Sequence, residues 1–495
     1  MRMLLNKKLA VVFLWLFAAI CYLCSTEAYC SVQQQPDSQS DAGSAENEST
    51  VVARIAYYTI TRGELTKKLM NELYPHDYDY YDANSTPVSA KEVLEEMLAE
   101  KAMIIEARAQ DYLEIESIRD SVKKFADMKL AGLLIQKHIE GKVNVTDDEV
   151  AQKMQTNPKL DKARAEAMLK QEKAKSILDQ YYSQIYSKAE VEKISANYPK
   201  VIQIYIKLLR DPNKPRKVPW VENIQVKEGL TQEEKNLVLA HYRSGKVTLK
   251  DWFQTLGDIV PIRRPRNLNT TKGVEQVLER AMQTPLLVSE AKRLKLDKDP
   301  ELLKQIRDFE DRKLLSEVML SKHKAIKEPT TDQIIAYFSK NKEMFGVSKS
   351  LKINQIWCQD LKTAKQVRAA LDNGEDFEAV KEQYSLEKQS KPLTVAPHSE
   401  GIFWKDLSAG DPNSIIGPVK GFYSQGIRWR IVKILQKTPG KEKPYSSDVE
   451  REIKYKLIND RFNAEVDRYG KELLKKYSYQ IFSEIVEGID PLDIP

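Results

Sequence analysis

Few side chains in this 495-residue sequence are of the kinds that do covalent or metal chemistry, and they do not cluster. Three of the four cysteines, Cys21, Cys24 and Cys30, lie in or beside the N-terminal segment, and Cys358 stands alone in the body. That count builds neither a disulfide framework nor a metal site, and no cofactor is expected. Cys358 has apolar strand neighbours in "NQIWC" and reads as a buried thiol. His398 lies in a polar loop and has two readings, a solvated surface residue or a catalytic imidazole. Phe403, Trp404 and Phe422 either line an apolar surface or belong to the core of a small domain. Tyr74, Tyr78, Tyr80 and Tyr81, set among aspartates in "YPHDYDYYDANSTP", are either a contact cluster for polypeptide or a solvated loop.

The elements that must position these residues are legible between Leu351 and Gln436. "LKINQIWC" is a short strand rich in apolar residues. Ala364, Val367, Ala370 and Leu371 fall at helical spacing, and Gly374 follows as a C-terminal cap. A second short helix carries Phe377, Val380 and Tyr384 on one face. After a polar loop come "GIFW", "IIGPV" and the apolar run "IRWRIVKIL". The order is strand, helix, helix, loop, strand, strand.

The string "TAKQVRAALDNGEDFEAVKEQYS" resembles the first two helices of parvulin-type peptidyl-prolyl isomerases, and "GPVKGFYSQGIRWRIVKI" resembles their closing hairpin. The flanking helices resemble folding factors of the SurA, PpiD and PrsA kind. That resemblance implies a site with two histidines, one on the first strand and one on the last. An acidic or thiol residue stands between them, and a Met and a Phe on a helix form a proline pocket. Carried over by position, the first-strand histidine falls on Gln355 and the last-strand histidine on Arg430. The acidic position falls on Ser399 or Glu400. The stretch "WKDLSAGDPNSIIGPV" is too short to hold the pocket helix. The resemblance therefore implies a parvulin scaffold with a degenerate active site.

The rest of the chain reads as helical. The fold class is mainly α: two duplicated SurA-N-like helical modules, with a small α/β parvulin-like domain inserted in the second. Residues 51–192 form module 1, 193–229 a linker, and 230–350 the first part of module 2. Residues 351–440 are the inserted domain, and 441–495 hold a C-terminal helix completing module 2. The duplication rests on one register held across several helices. Val277, Leu278, Ala281 and Met282 repeat Val93, Leu94, Met97 and Leu98 about 184 residues later, and Phe309 repeats Phe125. "TTDQIIAYF" at Thr330 repeats "VTDDEVAQKM" at Val145. Ser447 and Glu450 read as a capping box for the last helix.

Arg2, Lys7 and Lys8 precede an apolar run from Leu9 to about Cys24, so residues 1–30 are a signal peptide or a membrane anchor. Both readings stay open, and both export the body. Residues 31–50 read as a flexible polar tether. The net charge of +6 is small for this length and gives no case for nucleic acid. The expected location is periplasmic or extracytoplasmic, with the inner membrane a possible partner through residues 9–24. Three functions are consistent with these features. The first is an exported chaperone binding unfolded or nascent polypeptides, with a degenerate isomerase domain. The second is an active prolyl isomerase, and the third a membrane-tethered adaptor.

Overall fold

The computed structural model describes residues 48–73, 89–210, 218–346, 348–424 and 426–492. The N-terminal targeting segment, nearly all of the polar tether, and Tyr74, Tyr78, Tyr80 and Tyr81 lie outside the described residues. Helices dominate, with three small antiparallel sheets among the described residues. The strands are β1 (Val51–Ile55), β2 (Tyr58–Thr61), β3 (Glu192–Lys193), β4 (Val238–Tyr242), β5 (Gly245–Thr248), β6 (Ser350–Cys358), β7 (Leu393–Val395), β8 (Ile415–Tyr423), β9 (Gly426–Thr438) and β10 (Tyr479–Ile481). No described helix is long and apolar enough to cross a membrane.

Helix starts follow the local chemistry. Thr146, Thr248 and Thr330 each cap a helix through a hydroxyl that accepts from the third residue on. Each of those third residues, Glu149, Asp251 and Gln333, accepts in return from the backbone N–H of its threonine. At the last helix, Ser447–Lys476, the cap is Ser446 rather than Ser447: the Ser446 hydroxyl accepts from Val449 N–H. Gly374 takes φ +90° just past the Leu361–Asp372 helix, a conformation that costs glycine nothing.

The chain divides into two compact units. One is built largely from residues 114–310. Its core joins Leu130, Leu134 and Ile135 of the Glu116–Ile139 helix to Leu178 and Tyr182 of the Lys162–Lys188 helix. Onto these pack Trp252 and Phe253 and a row from the Thr271–Arg293 helix, including Val277, Leu278 and Met282. Trp252 is fully buried, and its indole N–H donates to the Val274 carbonyl at 2.9 Å. The sheet order is β3-β4-β5.

The other unit takes the described residues of 48–113 together with those of 311–492. Val93, Leu94 and Leu98 of the Ala90–Ala109 helix are fully buried against Leu314, Val318 and Leu473 in one cluster. Its helical part carries the sheet β10-β1-β2, with Ala53 paired to Ile481. The apolar spacing of Val93 to Leu98 and of Val277 to Met282 thus yields a buried face in each helix, as the helical period requires.

The last helix packs on the expected helices of residues 230–350 and on a further one. Its first turns, at Val449 and Ile453, pack on Ile334 and Phe345, Arg461 donates to Gln333 at 2.7 Å, and Phe462 lies edge-on to His323. Its final turns lie on the Ala90–Ala109 helix, where a Cβ on Gly470 would stand 2.8 Å from the Ala99 Cβ. Lys476 Nζ and the Tyr477 hydroxyl both donate to Glu106, at 2.5 and 2.7 Å. Those two bonds hold the Glu106 carboxyl below its ordinary range. The physical reason is the strand that follows: β10 pairs with β1, so the helix that delivers it must end beside β1.

The lobe of residues 350–438 belongs to the same compact unit, and its Phe403 and Ile427 join the apolar cluster of that unit's helices.

Candidate functional site

The lobe is a four-stranded sheet, order β7-β6-β9-β8. Side chains alternate across it. On one face Ile356, Cys358 and Ile431 are covered by the Leu361–Asp372 and Phe377–Tyr384 helices. On the other, Leu351, Ile353, Val432 and Ile434 pack with Trp404 and Leu407. Gln355 and Trp357 of β6 share this second face with Arg430 of β9, and Trp357 is the direct cross-strand partner of Arg430.

Three of the residues carried over from sequence meet here. Arg430 is 2% exposed; one guanidinium nitrogen donates to Gln355 Oε1 at 3.0 Å, and another to Glu400 Oε2 at 2.5 Å. Gln355 and Glu400 are themselves 7% and 6% exposed. The guanidinium lies over the Trp357 ring, 5.0 Å from its centroid. Gly421 of β8 makes the remaining room, since a Cβ there would stand 2.4 Å from Arg430 Nε. Arg430 Nε is buried without a hydrogen-bond partner.

The other candidates go elsewhere. The short helix Pro397–Glu400 turns Glu400 inward and leaves His398 and Ser399 exposed. The Ser399 hydroxyl serves its own turn, accepting from Ala396 N–H at 2.9 Å. Phe403 is buried among the helices of the unit, with Phe422 edge-on at 4.9 Å between ring centroids. Trp404 is buried under the sheet. These two buried rings are core residues. A short helix, Trp404–Ser408, occupies the stretch that sequence reading found too short for the pocket helix.

Cys358 is a buried free thiol, and burial pushes its pKa up to about 11. No group of three or more His, Cys, Asp or Glu among the described residues could hold a metal ion.

Sequence reasoning missed a second polar network on β6. Lys381 is 1% exposed and donates to Asn354 Oδ1 at 2.8 Å and to the Ser390 carbonyl. Asn354 in turn donates to Glu378 at 2.7 Å. The signal was Asn354 beside Gln355 in an otherwise apolar strand: two adjacent amides cannot both face solvent from a buried strand.

The second face of the sheet can therefore hold a charge firmly around Arg430. A prolyl ring needs apolar room above the strands, and Arg430, Gln355 and Glu400 leave almost none of their surface to solvent.

No family model matches the chain. It is 27% identical over 235 residues to the foldase protein PrsA of Caldanaerobacter subterraneus subsp. tengcongensis, covering 43% of this chain and 72% of that protein. It is 28% identical over 165 residues to a PrsA foldase of Bacillus cereus; the match takes 32% of this chain and spans about half of that relative, 54%. Among solved structures, one of the SurA-like chaperones of Campylobacter jejuni aligns over 48% of this chain and 96% of its own, at 15% identity and a TM-score of 0.24. The chain is similar to the SurA/PrsA-like foldases.

Proposed function

We propose that this chain is an extracytoplasmic folding factor that holds unfolded polypeptide on its helical modules, and that its parvulin-like lobe does not isomerise prolyl bonds. The similarity to PrsA foldases supports the first half. The second half rests on one observation: the buried Arg430 guanidinium, tied to Gln355 and Glu400, fills the face where the family holds its prolyl substrate. Isomerisation has a barrier of about 18–20 kcal/mol because the amide is conjugated. An enzyme lowers it only by favouring the twisted amide over the planar one. A face closed by an ion pair has no pocket in which to do so.

The helical modules are two copies of one design that exchange their closing parts. β10, which follows the second long helix, pairs with the first hairpin, and β3, which follows the first, pairs with the second hairpin. Phe125 and Phe309, equivalent in the sequence register, stack at 4.1 Å with their planes 2° apart. Both rings are half-exposed, with Met128 exposed one turn on, and they offer an unfolded client an apolar platform.

The test runs two assays on one preparation of the exported body. Aggregation of a chemically unfolded client should be suppressed at near-stoichiometric chain. Isomerisation of a short X-Pro peptide should stay within about twofold of the uncatalysed rate, since pocket and histidines are both missing. Robust isomerisation that survives Phe125→Ser would favour the active-isomerase reading instead.

A further inference from the structure

At the edge strand of the lobe's sheet lies a groove of about 370 Å³, and one of its walls, Val419, is the cross-strand partner of Arg430. Its apolar walls are Ile402, Phe403, Pro418, Val419 and Trp429. The chain's own C-terminal segment reaches it. Val486 and Ile489 are buried in the helical core of the same unit, and Leu492 then packs at the groove. Lys420 Nζ donates to the Leu492 carbonyl at 2.6 Å and lies over the Trp429 ring, 5.2 Å from its centroid. Asp490 Oδ1 accepts from Leu492 N–H at 2.8 Å, which shapes the approach.

We infer that this groove is a docking site for an extended stretch of client polypeptide carrying an aliphatic side chain, and that residues 490–492 occupy it in cis. The groove already carries that chemistry: the aliphatic Leu492 lines it together with Val419 and Trp429, and the adjoining carbonyl accepts from the Lys420 ammonium. A backbone carbonyl exists in every client, so the lysine asks for no particular sequence, and an apolar wall asks only for apolar bulk. The occupant is held lightly. One charge-assisted hydrogen bond and one half-buried leucine fix Leu492, whereas Ile489, three residues earlier, is anchored in the core. A client in trans therefore competes with a weak intramolecular ligand at high effective concentration. This inference rests on the folding-factor reading.

The experiment measures fluorescence anisotropy of a labelled peptide with the sequence of residues 486–495. It is titrated with the full chain, with a chain ending at Asp490, and with the full-length Leu492→Asp variant. Both altered chains should bind the peptide at least fivefold more tightly than the parent, and Lys420→Ala in the shortened chain should reverse the gain. Circular dichroism and lobe tryptophan fluorescence confirm folding, and Leu492→Asp guards against an effect of shortening alone. Equal affinity of all three folded chains overturns the inference while leaving the folding-factor reading intact. Loss of client aggregation suppression in every protein, the parent included, overturns the folding-factor reading itself.

Discussion

Breaking the Glu400–Arg430 pair tests how the lobe is held together. In Glu400→Ala the guanidinium keeps only the Gln355 oxygen and the Trp357 face, at 2% exposure. Removing one member of a buried pair strands the other charge, and the expected cost is about 3–5 kcal/mol. Gln355→Ala removes one hydrogen bond to a charged group, an expected loss of about 1.5–3 kcal/mol. Replacing both ions, as Glu400→Leu with Arg430→Met, removes the charge and its desolvation together. That chain should return to within about 1 kcal/mol of the parent, or exceed it. Hydrogen exchange of the amides of β6 and β9 reads the lobe's opening free energy without requiring two-state unfolding of the whole chain. A loss below about 1 kcal/mol for Glu400→Ala, or an apolar pair as unstable as that single variant, would refute the reasoning.

Four further outcomes are expected. Gly470→Val should destabilise the closing helix's unit by about 1–3 kcal/mol, because the Ala99 Cβ cannot retreat; Gly132→Ala, with nothing within 4 Å, should instead stabilise its helix by about 0.4–1 kcal/mol in chemical denaturation. Cys358 should resist alkylation in the folded chain at pH 8 and react at once in denaturant, since its thiol titrates near 11 when buried; rapid labelling of the native chain would contradict its burial. The Glu106 carboxyl is depressed in the folded state, so its contribution is present above the ordinary carboxylate range and lost as pH falls through its folded pKa. Acid titration of stability should therefore flatten over that range in Glu106→Gln, and an unchanged profile would count against the Lys476 and Tyr477 bonds.

Much of the helical pattern was legible because it depends on neighbours in sequence. The Lys162–Lys188 and Ser447–Lys476 helices end where their composition says, and the Thr146 cap is readable from "TDDE" alone. The lobe's main strands and its first two helices were legible; the short helices Pro397–Glu400 and Trp404–Ser408 were not, nor was β7, three residues in a polar loop that become a strand only because β6 offers them an edge. The site was half legible. The positions Gln355, Glu400 and Arg430 could be named, but their convergence depends on strand register and on the turn that points Glu400 inward. The second partner of the closing helix, the Ala90–Ala109 helix, was not legible. Its apolar stripe states that something covers it, and only the pairing of β10 with β1 decides what.

That pairing has a kinetic consequence. On a ribosome the core built from residues 130–302 is complete once its own stretch has emerged. The segment 51–109 is made earlier but stays uncovered until Leu314, Val318 and then Leu473 arrive. Glu106 meets Lys476 across 370 residues of chain. Closing so long a loop adds little entropy per doubling, but it sets the order of events. The first described helices to be synthesised are among the last to be buried, and the row Val93, Leu94 and Leu98 stays exposed until the chain is nearly finished.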